Sequence, residues 1–314
     1  MEEHGGKNQR RERKTTMKKL LVTGANGLLG KSLCRTAQKN KDYSVFGMYK
    51  DNKPTLQDLT FSCDICDKHL LDSAFRRISP DVVIHTAALT DVDKCELDKK
   101  SCWDVNAIGT KNVAEVCKAI DTHLVYISTD FVFDGEKDSR YKEDDKPHPI
   151  NCYGASKFFG EKVVSSLERS SIIRTSGIFG KRSSRGKQNF PLWVLESIRK
   201  KEQISVIHDQ FYCPTFVQNL SDMTLEIVDR KMFGIFHCSG KTKTSRYEFA
   251  KLVAGSYDLD ESYIVPKSFS EISFVAKRPK NTGLSTEKIW TMLKTKPLEL
   301  QKAVGLFMEE DLCD

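Results

Sequence analysis

The sequence lacks long hydrophobic runs. No uninterrupted apolar segment approaches the roughly 20 residues that a membrane-spanning helix needs. Residues 1–16 are polar and contain no apolar core of a secretory signal, and no repeat of fixed period indicates a solenoid. A length of 314 residues, of which 39% are hydrophobic, still suffices for a full core. We therefore expect a cytoplasmic globular protein that does not bind membranes.

The sequence also lacks a strong charge of one sign outside its first residues. The net charge is +7, and residues 1–19 hold seven basic and three acidic side chains, which leaves only +3 for the rest of the chain. This balance does not indicate a nucleic-acid-binding surface. We expect residues 1–16 to be a disordered basic extension. The alternative is a localisation or anchoring patch at Arg10, Arg11, Arg13 and Lys14.

Metal-ligand spacing is absent as well. Among ten cysteines, Cys63 and Cys66 form a CxxC pair, but no second pair lies at the spacing of a zinc site. Without a secretory signal, reduced thiols are the default. We therefore predict no metal site.

What the sequence does contain is an alternation of short apolar strands and amphipathic helices as far as residue 175. Such alternation predicts βαβ units and an α/β fold with a Rossmann-like, doubly wound parallel sheet. We expect a NAD(P)-binding domain at residues 17–175, completed by residues of about 204–240. A smaller substrate domain would combine residues 176–203 and 241–314. The predicted strands are 18–23, 43–48, 60–64, 82–86, 123–128 and 171–175, and the predicted helices are 28–38, 68–78, 101–120 and 153–167.

A glycine-rich turn joins the first strand to the first helix, at Gly24, Gly27 and Gly30. Gly24 permits a tight turn, Gly27 lets the backbone approach a pyrophosphate, and Gly30 allows close packing of helix and sheet. The helix N-terminus offers free N–H groups to phosphates. This pattern predicts dinucleotide binding, with Asn26, Leu28 and Leu29 as further contacts.

The end of the second strand distinguishes the two nicotinamide cofactors. An acidic residue there would bind the ribose hydroxyls of NAD and disfavour the 2′-phosphate of NADP. The strand ends at Tyr49 and Lys50, and Asp51 follows. Lys50 favours NADPH, whereas Asp51 would allow NADH if the strand ran one residue further.

The catalytic candidates are a tyrosine and a lysine four residues apart. Tyr153 and Lys157 share one helix face, and a neighbouring ammonium lowers the pKa of a phenol. Such a tyrosine can act as an acid or base. Ser128 and Thr129 end a strand in the middle of the predicted sheet, about 24 residues earlier.

These motifs resemble those of the extended short-chain dehydrogenase/reductases, and within them the dTDP-4-dehydrorhamnose reductase family. The resemblance runs from about residue 17 to the end of the chain. It rests on five groups of residues: Thr23 to Gly30; His85 to Lys94; Val105-Asn106; Ser128 to Gly135 and Tyr153 to Lys157; and Arg174 to Ser176, Asp209-Gln210, Pro214-Thr215 and Arg278 to Asn281.

The resemblance implies reduction of the C4 ketone of a nucleotide-linked 6-deoxy-4-keto sugar by NAD(P)H, a step of dTDP-L-rhamnose synthesis. Tyr153 would donate the proton, Lys157 would hold the nicotinamide ribose and tune Tyr153, and Thr129 would bind the ketone oxygen. A water in a proton relay would be held by Asn106. The resemblance also places Asp64 and Ile65 at the adenine, and His85, Ala87 and Ala88 along the cofactor channel.

On the substrate side, the resemblance departs from the family pattern at two positions. Gly177 stands where the family usually has an aromatic residue, and Phe131 stands where it commonly has tyrosine. Both departures leave the sugar open. The expected substrate-binding residues are Thr90, Asp91, Val92, Thr129, Asp130, Phe131, Gly177, Asn189, Gln210 and Arg278.

Two other interpretations fit the same motifs. The regulatory β subunit of methionine adenosyltransferase resembles these reductases and binds NADP(H) without catalysing the reduction. A reductase or epimerase acting on a different nucleotide sugar would share the same site. Asp209-Gln210 and Pro214-Thr215 favour the reductase. A homodimer is compatible with each interpretation.

Overall fold

The structure is a computed structural model that describes residues 17–51, 59–181 and 189–312. The predicted basic extension, residues 1–16, lies outside these ranges, so the expectation of disorder there stays a prediction. Within the described ranges, no helix is both long enough and apolar enough to cross a membrane.

The described residues form thirteen β-strands, of which seven make up one sheet and six form two-stranded pairs. In chain order the strands are β1 (Lys18–Thr23), β2 (Tyr43–Tyr49), β3 (Thr60–Ser62), β4 (Val82–His85), β5 (His123–Thr129), β6 (Ser170–Thr175), β7 (Ile178–Phe179), β8 (Ile204–Ile207), β9 (Phe211–Tyr212), β10 (Thr215–Phe216), β11 (Gly234–His237), β12 (Thr244–Ser245) and β13 (Ile264–Lys267).

The same residues form eleven α-helices. They are α1 (Leu28–Gln38), α2 (Lys68–Ile78), α3 (Val92–Leu97), α4 (Lys99–Trp103), α5 (Thr110–Ala119), α6 (Cys152–Val164), α7 (Phe190–Arg199), α8 (Val217–Asp229), α9 (Arg246–Ser256), α10 (Glu287–Met292) and α11 (Leu300–Leu312). A π-helical segment, Asp104–Gly109, joins α4 to α5, and short 3₁₀ turns follow β5 and flank β13.

The central sheet has the strand order β11-β6-β5-β4-β1-β2-β3, and each neighbouring pair is parallel. Thr23 of β1 is in register with His85 of β4, and Thr129 of β5 is in register with Thr175 of β6. Parallel strands bring their carboxyl ends to one edge, which is where ligands bind in such sheets. The predicted α/β doubly wound fold is confirmed.

Helices cover both faces of this sheet because its strands are buried on both sides. Leu20 and Val22 of β1 pack in the cluster that includes α1 and α8. Leu21 points the other way, into the cluster of α2, α5 and α6, since side chains alternate along a strand. Residues beyond 175 therefore help to finish the sheet: α8 packs on α1, and β11 pairs with β6.

A second core lies beside the sheet. Its buried residues come mainly from α7, α9 and α11 and from the parallel pair β8 and β13. The strand Ile204–Ile207, which we expected in the larger domain, pairs here with Ile264–Lys267. The limits of the two domains stay a prediction.

The predicted helix at 101–120 is present as a continuous helical stretch from Lys99 to Ala119, but it contains a π-helical segment that was not predicted. The structure divides this stretch into α4, the π-helical segment and α5. Two short helices begin at side-chain caps: Asp91 accepts a hydrogen bond from the Lys94 amide, and Asp98 accepts one from the Ser101 amide. The widened turn places Asn106 inside the protein, where it is fully buried.

Candidate active site

The glycine turn lies between β1 and α1 at the carboxyl edge of the sheet. Gly24 has φ +68°, and a Cβ there would lie 2.8 Å from the backbone nitrogen of Ala87. A Cβ on Gly30 would lie 2.2 Å from the carbonyl oxygen of Gly24. Gly27 precedes α1 as its N-cap and is exposed. The turn is thus tight on the protein side and open at the helix N-terminus, which suits a pyrophosphate.

The residues after β2 and β3 lie next to this turn. The Asn26 amide donates to the carbonyl oxygen of Asp51 at 2.7 Å, and Lys50 Nζ lies 2.8 Å from Asp64 Oδ2. Burial acts to raise the pKa of Asp64, but hydrogen bonds from Lys50 and the Cys66 amide lower it overall. Asp64 therefore stays ionised and holds the Lys50 ammonium at the end of β2.

Tyr153 and Lys157 lie in the first two turns of α6. This helix begins at Asn151, whose side chain accepts a hydrogen bond from the Gly154 amide at 2.8 Å. Both side chains face inward and are almost fully buried. The ring of Phe131 packs edge-on against Tyr153, with 5.9 Å between centroids. Lys157 Nζ lies 4.1 Å from the centroid of the Tyr126 ring.

The electrostatics of this pair differ from the sequence-based expectation. Burial raises the pKa of Tyr153 well above its ordinary value, and a hydrogen bond with Thr129 offsets this only in part. Burial also lowers the pKa of Lys157 to about 7, although Glu161 opposes this shift. At neutral pH the phenol is protonated, which is the form that a proton donor requires. The predicted lowering of the Tyr153 pKa is wrong because burial raises this pKa by more than the contact with Thr129 lowers it.

Thr129 and Asp130 follow the end of β5. The Thr129 hydroxyl donates to Asp130 Oδ1 at 3.1 Å and accepts from the Phe131 amide at 3.2 Å. It therefore caps the 3₁₀ turn and also reaches Tyr153. Asp130 is buried and accepts a 2.6 Å hydrogen bond from the Ser176 hydroxyl, and burial raises its pKa.

Asn106 is engaged by protein groups on every side. Its Oδ1 accepts from the Leu89 amide at 2.8 Å, and its Nδ2 donates to the Leu89 carbonyl at 3.0 Å. The same Nδ2 lies 3.1 Å from Ser156 Oγ. Asn106 thus fixes the loop after β4 against α6.

His85 lies beneath the site rather than in it. It is buried, with Nδ1 2.7 Å from Thr23 Oγ1 and Nε2 3.1 Å from Thr110 Oγ1. Burial lowers its pKa to about 3, with the Lys157 charge contributing. His85 is therefore neutral at physiological pH, and both ring nitrogens are bound within the protein, so its side chain offers no polar edge to a cofactor.

The structure places the other predicted cofactor residues along the same edge. Ala87 and Ala88 are half-buried behind the glycine turn. Ile65 is buried, and its carbonyl accepts a hydrogen bond from the Asn112 amide at 3.0 Å. Leu28 is half-buried and Leu29 is buried in the core under α1, so their backbone N–H groups, rather than their side chains, are the groups suited to phosphate.

The predicted substrate residues divide between the loop after β4 and the second core. Thr90 is exposed, and Asp91 and Val92 start α3. Gly177 is exposed, with φ +50°, and a Cβ there would lie 2.4 Å from the Tyr212 ring. An aromatic side chain at Gly177 would therefore overlap Tyr212, which accounts for the departure from the family pattern.

Three predicted residues near the second core, Arg278, Asn189 and Gln210, carry side-chain polar atoms of which some have a protein partner and two do not. Arg278 Nη2 pairs with Asp93 Oδ2 at 2.7 Å. Its Nη1 and Asn189 Oδ1 are buried without a hydrogen-bond partner among the described residues. Gln210 is buried, and its amide nitrogen donates to the Pro279 carbonyl at 2.9 Å. Orphaned buried polar atoms of this kind indicate a place where a polar ligand belongs.

Sequence reasoning missed Arg246 and Tyr212. Arg246 Nε donates to Gln210 Oε1 at 2.9 Å, and its guanidinium lies 4.7 Å from the Tyr212 ring centroid. The Tyr212 hydroxyl is also without a partner among the described residues. Burial lowers the pKa of Arg278, and the charge of Arg246 contributes to the shift. In the sequence, no motif within residues Ser245 to Ala250 marks Arg246 as a binding residue.

No group of three or more histidine, cysteine, aspartate or glutamate side chains is arranged to hold a metal ion in the part of the chain that the structure describes.

Comparison with known proteins assigns the family. A family model described as the RmlD substrate binding domain matches residues 17–313. The chain belongs to this family. A dTDP-4-dehydrorhamnose reductase from Aggregatibacter actinomycetemcomitans is 32% identical over 301 residues, which cover 92% of this chain and 97% of that protein.

Two further relatives bear on function. The crystal structure of dTDP-4-dehydrorhamnose reductase from Bacillus anthracis str. Ames, in complex with NADP, superposes with a TM-score of 0.83 at 30% identity and covers 94% of this chain and all of that one. Subunit beta of methionine adenosyltransferase 2 from Danio rerio is 28% identical over 285 residues, which cover 88% of this chain and 85% of that protein. The chain is therefore similar both to proteins named as enzymes and to proteins named as subunits.

Proposed function

We propose that this protein is an NADPH-dependent reductase of the 4-keto group of a nucleotide-linked deoxysugar, namely a dTDP-4-dehydrorhamnose reductase of the extended short-chain dehydrogenase/reductase type. One observation carries the proposal. Tyr153 is buried, with Lys157 one helical turn away on α6, at the same edge of the sheet as a glycine turn shaped for a dinucleotide, and burial raises the pKa of its phenol.

The residues fit the cofactor. The N–H groups at the start of α1 would hold the pyrophosphate, and Lys50 would face the 2′-phosphate of NADP. Asp51 binds Asn26 through its carbonyl oxygen, and Lys50, paired with Asp64, is the cation at the end of β2. The cofactor supplies the hydride. NADH stays the alternative cofactor.

The proton chemistry follows from the two pKa shifts. Tyr153 holds its proton at neutral pH and donates it to the oxygen that becomes negative as the ketone is reduced. Thr129 orients this oxygen through its hydroxyl. Lys157, whose pKa is about 7, stabilises the phenolate that the donation leaves behind. Asn106 supports the site by holding the loop after β4 in place.

The substrate side suits an anionic nucleotide sugar. Arg246 and Arg278, whose charges act on one another, supply two guanidiniums, and such groups bind phosphate oxygens in a planar, bidentate manner. The Tyr212 hydroxyl and Asn189 Oδ1 supply further polar groups for sugar or phosphate. Phe131 would pack against the sugar ring beside Tyr153. The polar set supports a nucleotide-linked substrate, and the identity of the sugar rests on the relatives.

The test is an assay in which the absorbance of NADPH monitors its oxidation in the presence of freshly generated dTDP-4-dehydro-6-deoxy-L-mannose. We expect turnover that requires the sugar, and a fall of roughly 100-fold or more in Tyr153→Phe, the usual weight of general acid catalysis. NADPH affinity in this variant should stay nearly unchanged, which serves as the control for folding. Unchanged turnover in Tyr153→Phe would remove this residue from the mechanism.

The second candidate function is that of an NADP-binding regulatory subunit of methionine adenosyltransferase, favoured by the relative from Danio rerio. Binding of NADPH without oxidation by any 4-keto nucleotide sugar, together with co-purification of a methionine adenosyltransferase, would support it. A cytoplasmic location and a homodimer stay predictions under either function.

A further inference from the structure

A buried carboxylate lies one helical turn beyond the proposed catalytic pair. Tyr153, Lys157 and Glu161 follow one another at intervals of four residues along α6, and all three are buried. Residues four apart share one face of a helix. The inner stripe of α6 is therefore a row of three titratable side chains, of which the third has no part in the proton chemistry described above.

Glu161 is fixed from two strands of the central sheet. The Ser128 hydroxyl donates to its Oε1 at 2.6 Å. Arg174 forms a two-point ion pair with it, with Nε to Oε1 at 2.9 Å and Nη2 to Oε2 at 2.8 Å. A guanidinium is always ionised, and charge-assisted, bidentate bonds of this geometry hold a carboxylate in its charged form. Ser128 directly precedes Thr129, so the carboxylate is anchored to the strand end that forms the site.

Among the described elements packed against α6, the 3₁₀ turn after β5 carries the buried carboxylate of Asp130, which acts on Tyr153, whereas Glu161 is the carboxylate that acts on Lys157. From β5, the ring of Tyr126 lies under its ammonium at 4.1 Å. From β4, His85 stacks on the ring of Tyr126, with 5.7 Å between centroids, and is neutral at physiological pH. On its own helix, Lys157 has the neutral phenol of Tyr153 on one side and Glu161 on the other.

One other group acts on Lys157. The thiol of Cys102 on α4 is buried, lies within 3.3 Å of Ser156 Oγ, and accepts a weak hydrogen bond from Asn106 at 3.6 Å. A hydrogen bond with Cys95 lowers the pKa of Cys102. Its thiolate form would also favour an ammonium at Lys157, so it is the rival contribution that an experiment must separate from that of Glu161.

We propose that Glu161 is a positioning residue whose fixed carboxylate keeps the buried Lys157 in its ammonium form beside Tyr153. Burial alone would discharge this lysine, because a low-dielectric interior disfavours the charged form. The ion pair with Arg174 and the bond from Ser128 set where the negative charge lies. The inference rests on the proposed function only in so far as the pair Tyr153 and Lys157 carries the proton chemistry.

The direct test is an NMR titration of Lys157 in the full-length protein, with ¹³C-labelled lysine side chains and the resonance assigned by its loss in Lys157→Arg. In Glu161→Gln we expect the titration midpoint of Lys157 to fall by at least about one pH unit, a tenfold change in the protonation equilibrium. The matched control is Lys162→Gln, which changes an exposed charge at the next position of the same helix and should leave the midpoint in place. Cys102→Ser should move the midpoint less than Glu161→Gln does.

A second variant guards against misfolding. Glu161→Gln leaves Arg174 buried without its partner, a costly arrangement, whereas Glu161→Gln combined with Arg174→Met removes both charges. We expect the midpoint to fall in this double variant too, and Glu161→Asp, which keeps the carboxylate, to restore part of it. An unchanged midpoint in Glu161→Gln or in the double variant overturns the inference.

Activity provides an independent readout. In the reductase assay, Glu161→Gln should lose turnover at neutral pH and regain it as the pH falls, because Lys157 is recharged only at lower pH. A uniform loss at all pH values would indicate a structural role and would contradict the inference. If the wild-type protein turned over no 4-keto sugar, the proposed function would fail, and the NMR titration would still decide the role of Glu161.

Discussion

Substitution of Gly30 by alanine should destabilise the protein and distort the cofactor turn. A Cβ at this position would lie 2.2 Å from the Gly24 oxygen, 2.9 Å from the Gly24 carbonyl carbon and 3.0 Å from the Ala25 Cα. All three atoms are backbone, so relief requires a shift of about 0.8 Å between α1 and the turn. Overpacking of this kind costs typically about 1–3 kcal/mol. The better helix propensity of alanine returns about 0.5–1 kcal/mol, which leaves a loss of about 1 kcal/mol.

Gly27→Ala is the matched control in the same turn. Its Cβ would contact only the Gly24 oxygen, at 3.3 Å, and φ is −75°, which alanine adopts without strain. A gain of about 0.4–1 kcal/mol from the less flexible unfolded chain is offset by the poorer N-cap, so stability should change by no more than about 0.5 kcal/mol. The new methyl group nevertheless stands where a pyrophosphate approaches, and NADPH should bind about tenfold more weakly or worse, equivalent to 1.4 kcal/mol.

Urea unfolding followed by tryptophan fluorescence gives the free energies of unfolding, and fluorescence titration gives the NADPH dissociation constants. The expected result is a separation: Gly30→Ala loses stability, whereas Gly27→Ala loses affinity with stability intact. The reasoning is refuted if Gly27→Ala destabilises the fold as much as Gly30→Ala, or if it binds NADPH as well as the wild-type protein.

Two further predictions concern charge. Lys50→Ala should weaken the binding of NADPH about tenfold more than the binding of NADH. This factor is at the low end of the energies of hydrogen bonds to charged groups, because the Lys50 side chain is 59% exposed. Equal weakening of both cofactors, measured by titration, would favour NAD. His85, His123 and His237 are buried, and burial lowers their pKa values to about 3, 4 and 3. The unfolded chain therefore binds more protons below pH 6.5, and stability should fall as the pH drops from there, by up to about 1.4 kcal/mol per pH unit for each histidine. Urea midpoints that stay constant between about pH 7 and pH 5 would contradict this linkage.

The order of elements and the sheet were predictable because the signals are local. The first strand, its glycine turn and α1 occur at the predicted residues, Lys18–Thr23 and Leu28–Gln38. Gly27 and Gly30 act on the backbone of Gly24, within six residues along the chain. Periodicity and turn chemistry therefore sufficed there.

The interrupted helix was not predictable in the same way. Its apolar residues repeat at helical spacing through the π-helical segment, so the local pattern indicates one helix. What widens the turn is the pairing of Asn106 with the Leu89 backbone, 17 residues earlier, and with Ser156, 50 residues later. Asp91 and Asp98 were the local signals in this region, because each caps the N-terminus of a short helix, α3 and α4, that begins before residue 101.

The site was predictable in composition and not in electrostatics. The spacing of Tyr153 and Lys157 puts them on one helix face. The extent to which the two side chains are buried decides their protonation states, and this burial depends on the packing of α6 against β5. Arg246 lacked a signal altogether, because its partners Gln210 and Tyr212 come from a loop and strand more than 30 residues away.

The late return of the chain to the central sheet bears on synthesis and dissection of the protein. When Ser170–Thr175 leaves the ribosome, its outer edge has no neighbour, and it gains one only after Gly234–His237 has been made. In between, a wholly buried strand presents unpaired backbone groups, which is the arrangement that recruits other strands and leads to aggregation. We therefore expect that the first half of the chain cannot be produced as a stable fragment, because a truncation anywhere between these two strands would leave the edge of Ser170–Thr175 unpaired.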